Sequence, residues 1–373
     1  MNPAFVIAAR RTAVAPRGGA FRAVEAHDLA APVLRACLHD AGLALGEVDQ
    51  VILGNALSGG GNVARLAALA AGLPESVPAL TVDTQCCSGL DAIQLAVRMV
   101  EAGAAQIVLA GGVESFSLAP LRALRPRAKG EAPVFYDRPP FTPWPARDPD
   151  MIAAAAALAR QGGITRAQQA AFAIDSHARA LVARERLRAE IVPLAGLDAD
   201  AFTRRLTPQL CARAPVLAGE GDVAVDAAGV AVEADAAAAV LVVSAQVRTR
   251  LGISGLAVVD GGSVGAAPEQ PALALVPAAA RLLARHPGLL ACVELMEAFA
   301  VQALANSAAL GLDPARVNRS GGALARGHPI GASGAILAVR LFHELAAEGE
   351  GARGLAAIAA AGGLGSALML QRI

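Results

Sequence analysis

Short apolar runs alternate with segments of helical periodicity along the first 115 residues of the chain. The runs at residues 5–8, 49–54 and 106–110 are nearly continuously apolar, and the helical segments cover residues 28–41 and 88–102. Continuous apolar runs are typical of strands that are buried on both faces. The alternation therefore predicts an α/β domain with a mostly parallel sheet between two layers of helices.

The pattern changes between residues 120 and 149. Proline and arginine are frequent there, and the segment holds the chain's single tryptophan and single tyrosine, Trp144 and Tyr136. This composition predicts irregular chain and not strand–helix units. Two helical patterns follow, the second with Thr165 as its N-cap. We interpret residues 117–237 as a domain inserted into the α/β fold.

The last third of the chain repeats the pattern of the first. Residues 94–98 (QLAVR) recur as residues 336–340 (ILAVR), and a buried strand that ends in two glycines follows each copy. A helix, a strand and a double glycine that occur twice predict two similar α/β halves. The predicted domains are residues 1–116, completed by about 238–260, the inserted residues 117–237, and residues 261–373.

Charge and composition narrow the classes of protein that the chain can be. Lys and Arg together number 32, as do Asp and Glu, so no basic surface for nucleic acid is expected. No apolar span is long enough for a transmembrane helix, and the N-terminus lacks a secretory pattern, so no membrane partner is expected. Five cysteines without zinc spacing predict a reduced, cytoplasmic protein with no metal site.

Two segments carry residue types that are suited to chemistry. Cys86 lies at the turn between a predicted strand and helix, where backbone N–H groups favour a thiolate by lowering the thiol pKa. His328 lies between Gly327 and Pro329 in a loop that opens a helix, which would present one imidazole nitrogen to a cysteine on the facing half. On these patterns alone, a buried structural cysteine and a capping histidine remain alternatives.

Longer segments around both residues resemble the thiolase family, and the resemblance covers nearly the whole chain. Residues 82–90 (VDTQCCSGL) match the family's nucleophile segment, and residues 111–117 (GGVESFS) match its GG-x-ES-x-S strand end. Residues 317–329 (VNRSGGALARGHP) match its long C-terminal signature almost throughout. The resemblance implies a five-layer αβαβα fold of two pseudo-equivalent halves, with an inserted loop domain that holds coenzyme A.

The resemblance also implies chemistry on acyl-CoA thioesters, with no covalently bound cofactor. Cys86 would accept the acyl group, His328 would activate it, and the backbone N–H groups of Cys86 and Ala361 would form the oxyanion hole. A homodimer or homotetramer and a place in fatty acid metabolism are implied as well. The residues expected to contact CoA or substrate are Met151, Arg213, Phe299 and Phe116.

Two positions depart from the family's pattern. In an otherwise matching MEAFA segment, Met296 stands where the family has the asparagine that holds a water at the enolate oxygen. A thioether cannot replace that amide. In the AAAGG segment, Ala359 stands where the family has the cysteine that acts as base, and Cys87 and Cys292 are the candidates to replace it. We therefore expect acylation of Cys86 to be retained and carbon–carbon bond chemistry to be impaired.

Three functions fit these residues. The first is a thiolase-type acyl-CoA acyltransferase with an altered site. The second is a non-catalytic or partner-dependent subunit of the same fold. The third is a condensing enzyme that accepts a decarboxylating donor and so needs no base at carbon. The intact segments around Cys86 and His328 argue against the second.

Overall fold

A computed structural model describes residues 2–373 of the chain. Its strands are β1 (Ala4–Thr12), β2 (Ala15–Pro16), β3 (Gln50–Gly54), β4 (Ala79–Val82), β5 (Ile107–Glu114), β6 (Arg122–Leu124), β7 (Val134–Tyr136), β8 (Ile191–Val192), β9 (Val216–Ala218), β10 (Val225–Asp226), β11 (Ala234–Ser244), β12 (Leu256–Gly265), β13 (Cys292–Leu295), β14 (Arg353–Ala360) and β15 (Leu364–Arg372). Its helices are α1 (Ala26–Ala41), α2 (Val63–Ala70), α3 (Ser88–Glu101), α4 (Met151–Gly162), α5 (Arg166–Val182), α6 (Arg184–Leu187), α7 (Pro208–Ala212), α8 (Ala245–Leu251), α9 (Leu275–Arg285), α10 (Ala300–Ala309), α11 (Ala323–Arg326) and α12 (Ile330–Ala346).

The main sheet runs in the order β13-β14-β15-β12-β1-β11-β5-β3-β4. β1 and β12 pair at two positions, Phe5 with Ala257 and Val6 with Leu256. This pairing joins the N-terminal half-sheet to the C-terminal half-sheet. The pairs β3–β4, β3–β5 and β13–β14 are parallel, whereas β1–β11, β5–β11, β12–β15 and β14–β15 are antiparallel. The prediction of a mostly parallel sheet is therefore wrong. One reason is the tight turn at Gly362 and Gly363, which connects β14 directly to β15 as a hairpin.

Helices cover the half-sheets in five layers, as the family resemblance implies. One apolar core packs α1 and α2 against the outer face of the N-terminal half-sheet and includes Leu34. A central core contains Ile93 of α3 and Ile336 of α12. A third core packs α9, through Leu282, against the C-terminal half-sheet. The repeated segments thus form the paired central helices α3 and α12, which lie between the two half-sheets.

Small residues let α3 and α12 approach each other backbone to backbone. A Cβ atom at Gly89 would lie 2.8 Å from both the Gly331 carbonyl oxygen and the Ala335 nitrogen. A Cβ at Gly334 would lie 2.6 Å from the Leu90 nitrogen. These distances are shorter than any real Cβ contact, so only glycine fits at either position. This contact brings together the first turns of both helices, and with them the cysteine and histidine segments.

The double glycine after residue 110 does not end its strand as the sequence suggests. β5 continues to Glu114 because Gly111 and Gly112 lie where neighbouring backbone leaves no room for a side chain. A Cβ at either glycine would lie 2.0 Å from a carbonyl oxygen, that of Ala238 or of Gly331. The glycines therefore serve close packing against β11 and α12 within a continuing strand.

The segment that we propose as an inserted domain, residues 117–237, contains helices α4 to α7 and short hairpins. The irregular stretch includes one such hairpin, β6 with β7. The long helix predicted from Thr165 divides into α5 and α6 at Ala183. No helix within residues 2–373 is both long and apolar enough to cross a membrane.

Candidate active site

Cys86 lies in a single 3₁₀ turn, Gln85–Cys87, directly before α3. Gln85 has a φ of 56°, which is uncommon for a residue with a side chain. Ser88 holds the turn, because its Oγ accepts the Thr84 N–H at 2.9 Å and donates to the Gln85 carbonyl oxygen at 2.5 Å. The turn leaves the Cys86 side chain partly exposed at the wall of a cavity.

His328 faces Cys86 from the loop that precedes α12. Its backbone N–H donates to the Val232 carbonyl oxygen at 2.8 Å, and its Nε2 lies 3.3 Å from the Cys86 Sγ. Its Nδ1 lies 2.6 Å from the Ser333 Oγ, which donates to the Pro329 carbonyl oxygen at 3.0 Å. Since the Ser333 hydroxyl proton is used there, its oxygen accepts the Nδ1–H. This assigns the neutral tautomer in which Nε2 is free to accept the thiol proton.

Burial keeps the Cys86–His328 pair neutral at rest. It raises the pKa of Cys86 to about 12, although the backbone N–H groups of Ala361 and Cys86 act in the opposite direction. Burial also lowers the pKa of His328 to about 4. The expectation that the helix N-terminus would lower the thiol pKa is therefore wrong, because loss of water outweighs two N–H groups and the neutral imidazole adds no positive charge. An attack by this thiol on a substrate would therefore require proton transfer to the imidazole.

The pH dependence of Cys86 acylation should reflect the lowered pKa of His328. A protonated imidazole cannot accept the thiol proton, so the rate should fall as pH decreases through about 4. An ordinary histidine would give this limb near its usual pKa of about 6.5. Quenched-flow mass spectrometry with acetyl-CoA between pH 3 and 9, with circular dichroism as a check on folding, measures the rate. An acid limb at pH 6–7 would contradict the assignment.

Two positioning groups were not singled out from the sequence. Ser333 orients the imidazole, and Glu114 fixes the start of α12. The buried Glu114 carboxylate accepts the Gly331 N–H at 2.9 Å, the Ala56 N–H at 3.1 Å and the Asn55 side-chain amide at 2.8 Å. Glu114 lies inside a segment that matches the family, and Ser333 lies just after another. That proximity is the sequence signal that could have identified both residues. Such contacts hold the histidine loop in place relative to the cysteine turn.

A cavity of about 220 Å³ opens at the Cys86 sulphur. Of the residues predicted for the site, those that line it are Cys86, Phe116, Met151, Phe299, His328, Ala359 and Ala361. Met296 does not line it; it is 1% exposed and belongs to the central core behind Cys86. Arg213 does not line it either, because it lies on the surface at the end of α7. Ala359 thus lies at the cavity wall, whereas Met296 is packed in the central core.

Neither candidate replacement base faces the cavity. The Cys87 Sγ lies 3.6 Å from the Ile358 carbonyl oxygen and 3.8 Å from that of Leu364, so it points at the β14–β15 hairpin. Cys292 is buried in β13. Within residues 2–373, no group of three or more His, Cys, Asp or Glu residues is arranged to hold a metal ion.

Comparison with family models matches both halves of the chain. Residues 4–246 match the model described as "Thiolase, N-terminal domain", and residues 254–372 match "Thiolase, C-terminal domain". Together the two matches cover nearly every residue. The expectation drawn from the sequence segments is therefore confirmed at the level of the family.

Similar proteins extend over the same length. VraB of Staphylococcus aureus, whose name assigns it provisionally to the acetyl-CoA C-acetyltransferases, is 36% identical over 100% of both chains. YhfS of Bacillus subtilis, named in the same way, is 38% identical over 99% of both chains. The crystal structure of the Acat5 thiolase of Ascaris suum in complex with coenzyme A has a TM-score of 0.91 and 30% identity over 100% of both chains.

Proposed function

Because this chain belongs to the thiolase family, we propose that it transfers acyl groups from acyl-CoA thioesters through an acyl-Cys86 intermediate. The observation that carries the proposal is the 3.3 Å approach of the His328 Nε2 to the Cys86 Sγ. A thiol attacks a thioester well once a base takes its proton. The acyl-CoA substrate class is supported by the names of the relatives and by the coenzyme A complex of a similar structure.

The acylation half-reaction uses groups that all lie at the cavity. As the Cys86 sulphur attacks the thioester carbon, its proton moves to the His328 Nε2. The thioester oxygen gains negative charge, which the backbone N–H groups of Cys86 and Ala361 would stabilise. His328 then returns the proton to the departing CoA sulphur. No group outside this set is needed to form the acyl-enzyme.

The second half-reaction is where the proposal departs from ordinary thiolase chemistry. Making a carbon–carbon bond needs a proton acceptor at the substrate Cα, and breaking it needs a proton donor there. Both directions also need a hydrogen-bond donor at the enolate oxygen. Ala359 offers neither, and Met296 lies behind the cavity wall. Losing one oxyanion donor and one base costs about 10⁴–10⁷ in rate if the effects nearly add. We therefore propose acyl transfer with impaired condensation and thiolysis. A non-catalytic subunit or a decarboxylating condensing enzyme remains the alternative.

Intact-protein mass spectrometry after mixing with acetyl-CoA and longer acyl-CoAs tests acylation. The chain should gain the mass of one acyl group, mapped by peptide analysis to Cys86, and Cys86→Ala should gain none. Cys87→Ala is the matched control, because its sulphur faces backbone carbonyl groups; it should be acylated like the wild type. Unmodified wild-type protein would favour the non-catalytic alternative. Ketone product from a malonyl-type donor alone would favour the decarboxylating one.

Restoring the two missing groups should raise carbon–carbon chemistry. Ala359→Cys places a thiol at the cavity wall, and Met296→Asn places an amide behind it, where space freed by the shorter side chain can admit a water. We expect the wild type to thiolyse acetoacetyl-CoA poorly, each single variant to gain little, and the double variant to gain about tenfold or more, since groups acting in one step are non-additive. Ala357→Cys is the positional control, because Ala357 lies on the same strand but does not line the cavity. A wild-type rate in the ordinary enzyme range of about 1–10³ s⁻¹ would contradict this view.

We also propose that the chain is cytoplasmic and forms a homodimer or homotetramer. All five cysteines are free, which suits a reducing compartment. β4 is an edge strand of the main sheet, and Leu66, Leu69 and Leu80 on or beside it are each more than 40% exposed. Unpaired edges with apolar side chains favour association of copies. Sedimentation of a stable monomer at micromolar concentration would contradict the proposal.

Met151 and Phe116 at the cavity, and Arg213 at the surface, remain proposed CoA contacts.

A further inference from the structure

Among residues 2–373, one base that can act on an acyl-enzyme lines the cavity at Cys86. The polar side chains that line it are Gln85, Cys86, Glu233, Gln302 and His328. Glutamine amides do not accept protons at neutral pH. The Glu233 carboxylate is 54% exposed and is paired with Arg17 at 2.8 Å. The His328 Nε2, 3.3 Å from the sulphur, is therefore the proton acceptor that remains.

Two buried carboxylates behind the cavity are already hydrogen-bonded to other groups of the protein. Glu114 is fully buried and receives N–H groups from Asn55, Ala56 and Gly331. Glu297 is also buried, and accepts the Ser176 hydroxyl at 2.7 Å and the Asn318 amide at 2.6 Å. Neither residue lines the cavity. Proton transfer to an incoming acyl acceptor thus falls to His328 alone.

One imidazole nitrogen restricts the acceptors that the acyl-enzyme can use. A carbon acceptor must lose a Cα proton while its enolate oxygen receives a hydrogen bond, which requires a base and a donor at the same moment. A single nitrogen cannot be both. An S–H or O–H acceptor needs only a base, because the attacking atom carries the proton that it loses. Such an acceptor can approach the acyl carbon next to the sulphur, where the His328 Nε2 already lies.

We propose that water is such an acceptor, and that the chain hydrolyses short-chain acyl-CoA thioesters to free carboxylic acids and CoA. This inference rests on the proposed acylation of Cys86. The cavity of about 220 Å³ has room for several waters beside a two-carbon acyl group. A long apolar chain would pack against Phe116, Phe141 and Phe299 and displace that water. Acetyl-CoA should therefore be hydrolysed faster than a long-chain acyl-CoA.

The deacylation step balances with water as the only co-reactant. The water oxygen bonds to the acyl carbon while one water proton moves to the His328 Nε2. The oxyanion of the tetrahedral intermediate is held by the backbone N–H groups of Cys86 and Ala361. The carbon–sulphur bond then breaks, and the Nε2 proton returns to the Cys86 sulphur. Over both steps, one acyl-CoA and one water become one carboxylic acid and one CoA thiol.

Turnover of acetyl-CoA by the full chain in ¹⁸O-labelled water tests the proposal. Acetate and CoA are quantified by chromatography and mass spectrometry, and Cys86 acylation is followed by intact-protein mass. We expect repeated turnovers with one ¹⁸O per acetate, none with Cys86→Ala, and wild-type behaviour with Cys87→Ala. The acyl group should leave the folded protein at least about 10²-fold faster than the same acyl-protein unfolded in urea, the range of one general base.

The outcomes separate this inference from the proposed function. Acyl-Cys86 that persists as long in the folded as in the unfolded protein would overturn hydrolysis and leave acylation standing. Exchange of the acyl group with labelled CoA but without acetate would also overturn hydrolysis, because the acceptor would then be a thiol only. Absence of both acyl-Cys86 and acetate would overturn the proposed function and this inference together.

Discussion

Replacing His328 with asparagine should slow acylation of Cys86 by about 10²–10⁴-fold, the usual contribution of a general base. The thiol has a pKa of about 12, so almost none is ionised at pH 7 and the attack depends on proton transfer to the imidazole. Asparagine fills similar space but offers no basic nitrogen. Raising the pH should partly rescue the variant, since hydroxide then produces the thiolate directly.

His343→Asn is the matched control for this substitution. His343 lies near the end of α12, is partly buried like His328, and directs its Nε2 to the Ala9 carbonyl oxygen at 3.0 Å, away from the cavity. The hydrogen bond that this substitution removes lies away from the cavity, so acylation should stay within about twofold of wild type. Single-turnover mass spectrometry of the acetyl-CoA reaction measures all three proteins. Equal acylation rates for His328→Asn and wild type would show that another group takes the thiol proton.

The Cys86–His328 pair could be identified from the sequence because both residues lie in long segments in which close backbone packing restricts the residue types. The glycines near Cys86 and His328 are required where α3 and α12 touch, as Gly89 and Gly334 show. Short motifs therefore encoded a long-range contact between the two halves. The thiol pKa could not be predicted in the same way. It depends on how much water the surrounding layers exclude, which residues far apart in the chain determine together.

The positions that differ from the family show a similar limit. The match to the family's pattern identifies both Met296 and Ala359 as altered catalytic positions, but of the two only Ala359 lines the cavity. Met296 joins the central core, because an unbranched apolar side chain is stabilised by packing there. No sequence pattern distinguishes Arg213 from the other arginines of the inserted segment. Sheet direction was also beyond the sequence, since it depends on which distant strands become neighbours.

Buried charges between the two halves give a second prediction with a large effect. Arg340 of α12 is fully buried and forms ion pairs with Glu190 and Glu344. Arg11 of β1 pairs with the same Glu190 at 2.5 Å and with Asp200 at 2.7 Å. Burial alone would raise the pKa of Glu190, but the charges of Arg340 and Arg11 lower it to about 2. The cluster links α12, which directly follows the His328 loop, to β1 and to the inserted segment.

Arg340→Met should lower the free energy of unfolding by about 3 kcal/mol, the lower end of the range for breaking a buried pair, because Glu190 and Glu344 each lose one of the arginines that neutralise their buried charge. Arg188→Met is the control: its pairs with Glu185 at 3.0 Å and Asp198 at 3.2 Å are exposed, and such pairs contribute about 0–1 kcal/mol. Urea unfolding at fixed protein concentration measures both. The difference between Arg340→Met and wild type should shrink as pH falls from about 4.5, the unfolded pKa of glutamate, towards 2, since the lowered pKa of Glu190 stabilises the fold only while the carboxylate stays ionised. Equal losses for the two variants at pH 7 would mean that the buried cluster is no more stabilising than a surface pair.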